Sequence, residues 1–350
     1  MIRPEPMAGR TSFAAVDKTS DPSAVADALA GNKYFLVTDF FSTGVNILAA
    51  LRRSLGGNEP RKSYAAERAY RAAFQGAAAR LLAPIRENRL DLRRAPEIGW
   101  LQELYPDRAE FVLPFPQVQG LNSSWQWFQK GLQIPVLRRR LYPFYGAYFP
   151  TRFAHLRLFA LWLKSYRGNK RFAVDVGTGC GVLAFQLSEA GWPRILATDI
   201  NPNAIESVRR ELARAPAKTI IRAEETDLLG TGGEPADLIV FNPPWLPGET
   251  HNALDVAMYY PPDMFARFFA AAAERLAPEG RVVLLFSNLQ QTAGSDAEHP
   301  VRRELDGGRR FALVQRLESK ADPASKKTKR RKRSPAKESV EVWELKAART

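Results

Sequence analysis

Two short stretches of this chain set ligand-holding groups at the ends of apolar runs. In the first, Ala173-Val-Asp-Val-Gly-Thr-Gly-Cys-Gly-Val182, a buried-strand pattern containing one acid, Asp175, passes into glycines at 177, 179 and 181. Glycines so spaced let the backbone turn tightly and approach a ligand without side-chain clashes. The pattern is G-x-G-x-G, with Val182 where the dinucleotide fingerprint G-x-G-x-x-G continues, and Asp175 would repel a pyrophosphate at the following helix start. In the second stretch, Asn242-Pro-Pro-Trp245 closes the apolar run Ala236-Asp-Leu-Ile-Val-Phe241. The Asn242 carboxamide oxygen and the Pro243 carbonyl are two acceptors in a turn that Pro243 and Pro244 stiffen. Two such acceptors suit a nitrogen that carries two N–H groups and whose lone pair is delocalised. Holding both N–H groups aims the lone pair for in-line displacement. Trp245 adds a flat face on which a planar amide or base can stack. A plain proline turn after a strand is the bland alternative.

In order and spacing these stretches resemble the class I S-adenosylmethionine-dependent methyltransferases, specifically those that methylate nitrogen. The resemblance spans about residues 145–346 and implies an α/β, Rossmann-like sheet of seven strands, the last antiparallel, flanked by helices. It implies S-adenosyl-L-methionine as cofactor. That molecule carries a sulfonium and an ammonium but no phosphate, so it tolerates Asp175. Asp175, Gly177, Thr178, Gly179 and Gly181 would then line the cofactor, and Asn242 would touch it as well. Asp199, ending the second strand, corresponds to the family's ribose ligand. Asp227, after the third, corresponds to its adenine ligand, with Glu225 competing for that role. Thr151, within Phe149-Pro-Thr-Arg152, either contacts the cofactor or caps the following helix. Asn242, Pro243, Pro244 and Trp245 would form the acceptor site. No general base is required, since the methylated nitrogen can shed its proton after transfer. Close release-factor enzymes usually carry tyrosine as the fourth motif residue, so Trp245 is a departure.

The rest of the chain must position these groups. Continuous apolar strands at about 172–176, 194–200, 219–225, 236–242 and 281–287, with helices between most of them, suit a parallel sheet covered on both faces. Two further strand-like stretches, 310–317 and 339–345, bracket Lys326-Lys-Thr-Lys-Arg-Arg-Lys-Arg333. That run therefore belongs to a long hairpin loop, 319–337, whose Ser, Pro and Lys content predicts disorder without a partner. A helix beginning after Thr151 carries Phe153, Leu156, Phe159, Ala160 and Leu163 on one face. Residues 1–110 read as a mainly helical N-terminal domain, expected by position to recognise substrate. Its helices are Ser42 to Leu55 and a face of Tyr70, Ala73, Phe74, Ala77 and Leu81; residues 32–41 read as a strand or as the lead-in to the first helix. Residues 111–150, rich in proline and aromatics, read as an ordered connector, and 151–346 as the catalytic domain.

Composition narrows the partners. The net charge is +14, and the run at 326–333 supplies seven of its cations, leaving a basic remainder. That balance favours RNA or the ribosome, with a merely solvated loop as the alternative. The run also resembles a nuclear-localisation string, a weak motif. No apolar run approaches the ~20 residues that span a bilayer, and the first residues lack the apolar core of a signal peptide. The single cysteine, Cys180, excludes an intrachain disulfide and reads as a small packed residue. With only three scattered histidines, His155, His251 and His299, a metal centre is not expected. A cytoplasmic enzyme is the expectation. The acceptor remains open between a base in structured RNA, which the charge favours, a glutamine of a translation protein, and a small-molecule amine. A catalytically silent RNA-binding module is the reading from a different class. His251 and Tyr259-Tyr260 read as pocket-shaping residues or as residues without a role.

Overall fold

A computed structural model of the chain describes residues 1–7, 13–57, 64–215, 219–248, 259–292, 298–307, 310–322 and 338–348. It resolves into two compact units, Arg3–Gln129 and Lys130–Thr350.

The first unit contains β1 (Ala14–Val16), α1 (Pro22–Ala30), β2 (Phe35–Val37), α2 (Phe41–Ser54), α3 (Tyr64–Ala78), β3 (Leu81–Arg86), β4 (Arg89–Leu90), α4 (Trp100–Leu104), β5 (Glu110–Pro114) and α5 (Phe115–Lys130). Helices supply most of its regular structure, as expected, but they accompany a five-stranded sheet that the sequence did not announce. In it β1, β2 and β3 run parallel, while β4 and β5 lie antiparallel to β3. Strands of three residues are too short for period-2 alternation to register. The undecided stretch 32–41 supplies β2 and then leads into α2. Leu81, expected on the helical face, opens β3 instead, because Pro84 three residues on cannot sit in a helix interior. The proline- and aromatic-rich segment 111–150 is not a single connector. Its first half forms most of β5 and α5, and the division between units falls at 129/130.

The second unit contains β6 (Leu132–Gln133), β7 (Arg140–Leu141), α6 (Ala154–Ser165), β8 (Ala173–Val176), α7 (Val182–Glu189), β9 (Arg194–Asp199), α8 (Pro202–Arg214), β10 (Ile220–Glu225), β11 (Ala236–Phe241), β12 (Leu246–Pro247), β13 (Tyr259–Tyr260), α9 (Met264–Arg275), β14 (Leu276–Ser287), α10 (Leu289–Thr292), α11 (Pro300–Asp306), β15 (Phe311–Lys320) and β16 (Ser339–Ala347). Its seven-stranded sheet has the order β10-β9-β8-β11-β14-β16-β15. Neighbours from β10 to β14 pair in parallel, and β16 runs antiparallel to both β14 and β15. The expected strands are all present.

The apolar strands are continuous because both faces are covered. Leu238 and Val240 of β11, with Val283 and Leu285 of β14, join the core built around α6 and α7. The alternate residues Ile239, Phe241, Val282, Leu284 and Phe286 join the core built around α9. On β16, Glu341 and Glu344 break the apolar pattern yet are only 3% and 5% exposed. Glu344 accepts from Trp162 Nε1 at 2.7 Å, Gln315 Nε2 at 2.6 Å and Arg281 Nε at 3.1 Å. Glu341 accepts from Trp343 Nε1 at 2.7 Å and Arg316 at 2.6 Å, and His299 Nε2 lies 3.2 Å from it. Such partners make burial of the two carboxylates tolerable.

β15 and β16 remain paired out to Lys320↔Ser339. They therefore flank the basic run as a hairpin, as read from the sequence; the run itself, and the expected disorder of the loop, lie outside the described residues.

Burial alone would raise the pKa of Glu341, but the close approach of His299, the bond from Trp343 and the nearby Arg316 charge outweigh it and hold the group at about 2. A folded-state value below the unfolded one adds stability that is complete above the unfolded pKa and disappears as pH falls through the folded value. We expect Glu341→Gln to lose on the order of 2–3 kcal/mol of stability near neutrality. That deficit should shrink as pH falls below the ordinary glutamate range toward 2, as followed by thermal unfolding across pH.

Candidate active site

The site is built where β8, β9, β10 and β11 end side by side. In this sheet the strand order reverses between β8 and β11, the switch point at which open parallel sheets leave a crevice. Val176 of β8 pairs with Phe241 of β11, so Gly177 and Asn242 leave the sheet as neighbours.

Gly177, Gly179 and Gly181 all have positive φ, at 63°, 54° and 87°. Gly179 allows no side chain for a second reason: a Cβ there would stand 2.8 Å from the carbonyl oxygen of Tyr148. The next residue donates to that same carbonyl, Cys180 N to Tyr148 O at 2.9 Å. Segment 142–148 thus crosses the glycine loop backbone to backbone. Gly181 stands at the N-cap of α7 in the left-handed region.

Asp175 is fully buried beneath the loop. Its Oδ2 accepts from Thr178 Oγ1 at 2.6 Å and from Ala184 N at 2.9 Å. Its Oδ1 is buried without a partner. Burial, against these two bonds, raises the carboxyl to about 7. Asp199 Oδ2 accepts from Gly179 N at 2.9 Å and its Oδ1 from Asn201 N at 2.9 Å, so it braces both the glycine loop and the turn into α8. Burial pushes its carboxyl upward too. Ile200, beside it, is 56% exposed and offers an apolar face that the sequence reading did not single out.

The other expected cofactor ligands stand differently. Asp227 is exposed and ion-paired with Arg267 of α9, which competes with any ligand for that carboxylate. Glu225 ends β10. Thr151 is exposed and is not the cap of α6: that helix begins at Ala154, with Phe153 at its N-cap and no side-chain cap bond of its own. Arg152 pairs with Glu338 at 2.6 Å.

On the acceptor side, Asn242 Oδ1 is buried and has no hydrogen-bond partner. Pro243 is buried behind it and Pro244 half-buried. Trp245 is also half-buried, and it is anchored rather than free: its Nε1 donates to Leu285 O at 3.3 Å. Its ring meets that of His155 edge-on, with centroids 5.2 Å apart at 88°. His155, missed in the sequence reading, is 2% exposed, and neither ring nitrogen has a partner. Burial lowers it to about 4, so the ring is neutral near pH 7. Only its place on the apolar face of α6 could have drawn attention to it. Tyr259 and Tyr260 form β13 against Leu246 and Pro247, directly after the motif. Tyr260 donates to Gln290 Oε1 at 3.0 Å, so it packs under this turn. His251 lies outside the described residues. Cys180 is buried, and that burial raises its thiol, which suits a packed residue. Among the described residues no group of histidine, cysteine or acid side chains could hold a metal, and no helix is long and apolar enough to cross a membrane.

The glycine loop therefore fits a ligand that comes close to backbone and brings positive charge. A pyrophosphate would face the buried carboxyl of Asp175, whereas an ammonium or sulfonium would favour its ionised form. Without such a cation, the raised pKa of Asp175 works against the fold. The unfolded carboxyl ionises near the ordinary value while the folded one stays protonated to about 7, so stability falls as pH rises between the two values. We expect Asp175→Asn to remove this slope. The ligand-free variant should gain over wild type as pH climbs from 4 to 8, by roughly 4 kcal/mol at most, in chemical denaturation.

Residues 157–295 match the model of the methyltransferase small domain family. Among curated relatives, the chain is 35% identical over 171 residues to the release factor glutamine methyltransferase of Deinococcus radiodurans, covering 43% of this chain and 60% of that enzyme. It is 32% identical over 119 residues to the tRNA1(Val) (adenine(37)-N6)-methyltransferase of Phocaeicola vulgatus, covering 32% of this chain and 50% of that enzyme. The chain thus spans only half to three-fifths of the length of these relatives. Among solved structures, a ribosomal protein L11 methylase from Lactobacillus delbrueckii subsp. bulgaricus aligns at 18% identity and a TM-score of 0.40, covering 58% of this chain and 82% of that one. Residues 157–295 of the second unit, which hold the glycine loop and the Asn-Pro-Pro-Trp turn on adjacent strands, are thus similar to the methyltransferase small domain.

Proposed function

We propose that this chain is a cytoplasmic S-adenosylmethionine-dependent N-methyltransferase acting on a planar amino or amide nitrogen, with a base of structured RNA as the acceptor. The observation that carries the reading is the buried, unpartnered Oδ1 of Asn242 beside the glycine loop. A buried acceptor without a donor costs about 1–3 kcal/mol, and a site that binds an N–H group recovers it.

Bound S-adenosylmethionine supplies a methyl group on a sulfonium centre. The remaining work falls to the chain. Asp175 and the loop 177–181 hold the cationic end of the cofactor, Asp199 the ribose hydroxyls, and Asp227 or Glu225 the adenine side. Asn242 Oδ1 and the Pro243 carbonyl accept the two N–H groups of the acceptor nitrogen, turning its lone pair toward the methyl carbon. Pro243 and Pro244 keep these acceptors fixed, and Trp245 borders the planar group. The proton leaves the nitrogen after transfer. Residues 1–110 recognise the substrate in this reading.

The net charge of +14, half of it in the run at 326–333, supports RNA over protein. One observation favours a second reading, a glutamine side chain in a translation protein: the relative matched at 35% identity is named a release factor glutamine methyltransferase.

Asn242→Ala is expected to lower methyl transfer about 10²-fold or more while cofactor affinity is kept, as when one positioned hydrogen-bonding group is lost from a transition state. Transfer equal to wild type would remove Asn242 from the site. The assay is transfer of tritiated methyl into extract of cells lacking the protein, with parallel digestion. Label released by RNase supports RNA, label released only by protease supports glutamine, and no label favours a small amine or a silent binding module. Deleting residues 324–336 should weaken RNA association and flatten its dependence on salt, measured as the slope of log K against log salt. An unchanged slope would make the basic run solvated filler.

A further inference from the structure

The first turn of α6 is held by residues distant in sequence. The backbone N–H groups of Phe153 and Ala154 donate to Asp322 Oδ2, at 2.6 and 2.9 Å, across more than 160 residues. The other oxygen of Asp322 takes Arg157. Next to it, Arg152 binds Glu338 at 2.6 Å, and Ala321 N donates to Glu338 O at 2.9 Å, so the two acids stand together where β15 and β16 meet. From the opposite side, Gln186 of α7 donates to Leu156 O at 3.1 Å. Between these attachments sits His155, whose buried ring has no hydrogen-bonding partner and rests edge-on against Trp245.

A helix start without a cap leaves its first N–H groups unsatisfied and frays within a turn. Here fraying would move His155, and with it one wall of the Asn242-Pro-Pro-Trp245 turn. The imidazole has no hydrogen bond that would hold it on its own account. Its place is set by the backbone that carries it. The ends of the segment bearing the basic run are fixed to this same helix, because Asp322 and Glu338 are the described residues flanking 323–337.

We propose that Asp322 is a positioning residue for methyl transfer: by capping α6 it keeps His155 against Trp245 and holds the acceptor turn in place. This rests on the reading of Asn242 to Trp245 as the acceptor site. Asp322 is not among the residues assigned to cofactor or acceptor, and its bonds go to Phe153, Ala154 and Arg157, so its removal should spare cofactor binding and reduce turnover.

The test compares Asp322→Ala, Asp322→Asn and Arg157→Ala in the full chain. Three quantities are read: the ring nitrogen signals of His155 and the indole N–H of Trp245 by NMR, the affinity for S-adenosylhomocysteine by calorimetry, and methyl transfer into the RNA and protein fractions. Asp322→Ala is expected to shift both signals and to cut turnover about tenfold or more, a scale that small misplacements reach, with S-adenosylhomocysteine affinity within about twofold. Asp322→Asn keeps an oxygen for the two N–H groups, so it should restore the signals and most of the turnover. Arg157→Ala, which leaves the cap intact, should leave the signals in place. Unmoved signals in Asp322→Ala overturn the proposal, as does a loss of S-adenosylhomocysteine affinity equal to the loss of turnover. Should Asp322→Ala fail to fold, Asp322→Ser, too short to reach both N–H groups, is read by the same criteria. The signals are recorded without any acceptor. A wild-type protein that transfers no methyl would therefore defeat the acceptor-site reading, while the signals still decide whether Asp322 positions the turn.

Discussion

The burial of the Asp175 carboxyl at the end of the first sheet strand is the constraint around which the second unit is arranged. A carboxyl removed from water must be protonated, hydrogen-bonded or matched by a cation. Here one oxygen is bound by Thr178 and Ala184 N, and the other is left without a donor. Both donors belong to the glycine loop and the helix that follows it. The loop is therefore wound around the carboxylate, and its three left-handed glycines are what let so short a segment close that ring.

A second layer holds the loop from outside. Asn203, Ser207 and Glu211 recur every four residues on α8 and are 0%, 0% and 1% exposed, a polar stripe where an amphipathic helix would carry apolar residues. Each faces segment 142–148. Asn203 Nδ2 donates to Tyr145 O at 2.8 Å, Ser207 Oγ accepts from Phe144 N at 3.1 Å, and Glu211 Oε1 accepts from Tyr142 N at 2.8 Å. Asn201, capping the same helix, donates to Gly146 O at 2.9 Å. The segment so fixed ends at Tyr148, whose carbonyl lies on the glycine loop. An irregular stretch of backbone can be buried here because its polar groups are matched one by one.

What could be read in the sequence follows the range of the interactions responsible. Runs such as 236–241 and 282–286 announce themselves because both faces of their strands are covered, so no polar residue interrupts them but Asp237. That residue is bound by Arg171 at 2.9 Å. The glycine loop and the Asn-Pro-Pro turn are legible because local backbone geometry demands those residue types. Part of the sheet of the first unit was hidden by its shortest strands, β1 and β2 of three residues and β4 of two. The cap of α6 was hidden for another reason: Thr151 has the right chemistry in the right neighbourhood, but the capping carboxylate comes from Asp322, and no local pattern reports a partner that far away. His155 was legible only as one more residue on a helix face. Glu341 and Glu344 lie on opposite faces of β16, and no local pattern reports that arginine and tryptophan donors enclose each of them.

Asp175 and Asn242 share a property that matters because of where they stand, although Ser339 Oγ on β16 shows it too. Each leaves one side-chain oxygen buried without a donor, and they lie at the ends of adjacent strands. Elsewhere in the same sheet the chain does supply donors for its buried carboxylates, as it does with Trp162, Gln315 and Arg281 around Glu344. The fold is thus able to satisfy such groups. Leaving two acceptors open at one crevice costs stability in the free protein, on the order of 1–3 kcal/mol for each. A ligand recovers that free energy only if it brings donors to both places. Trp245 bounds the choice further: its one donor is already engaged by Leu285 O, so it presents ring rather than N–H to whatever lies beside it. Under the proposed function the crevice would select a pair of donor-bearing groups, one cationic and close to backbone, the other a planar nitrogen with its N–H groups turned toward Asn242.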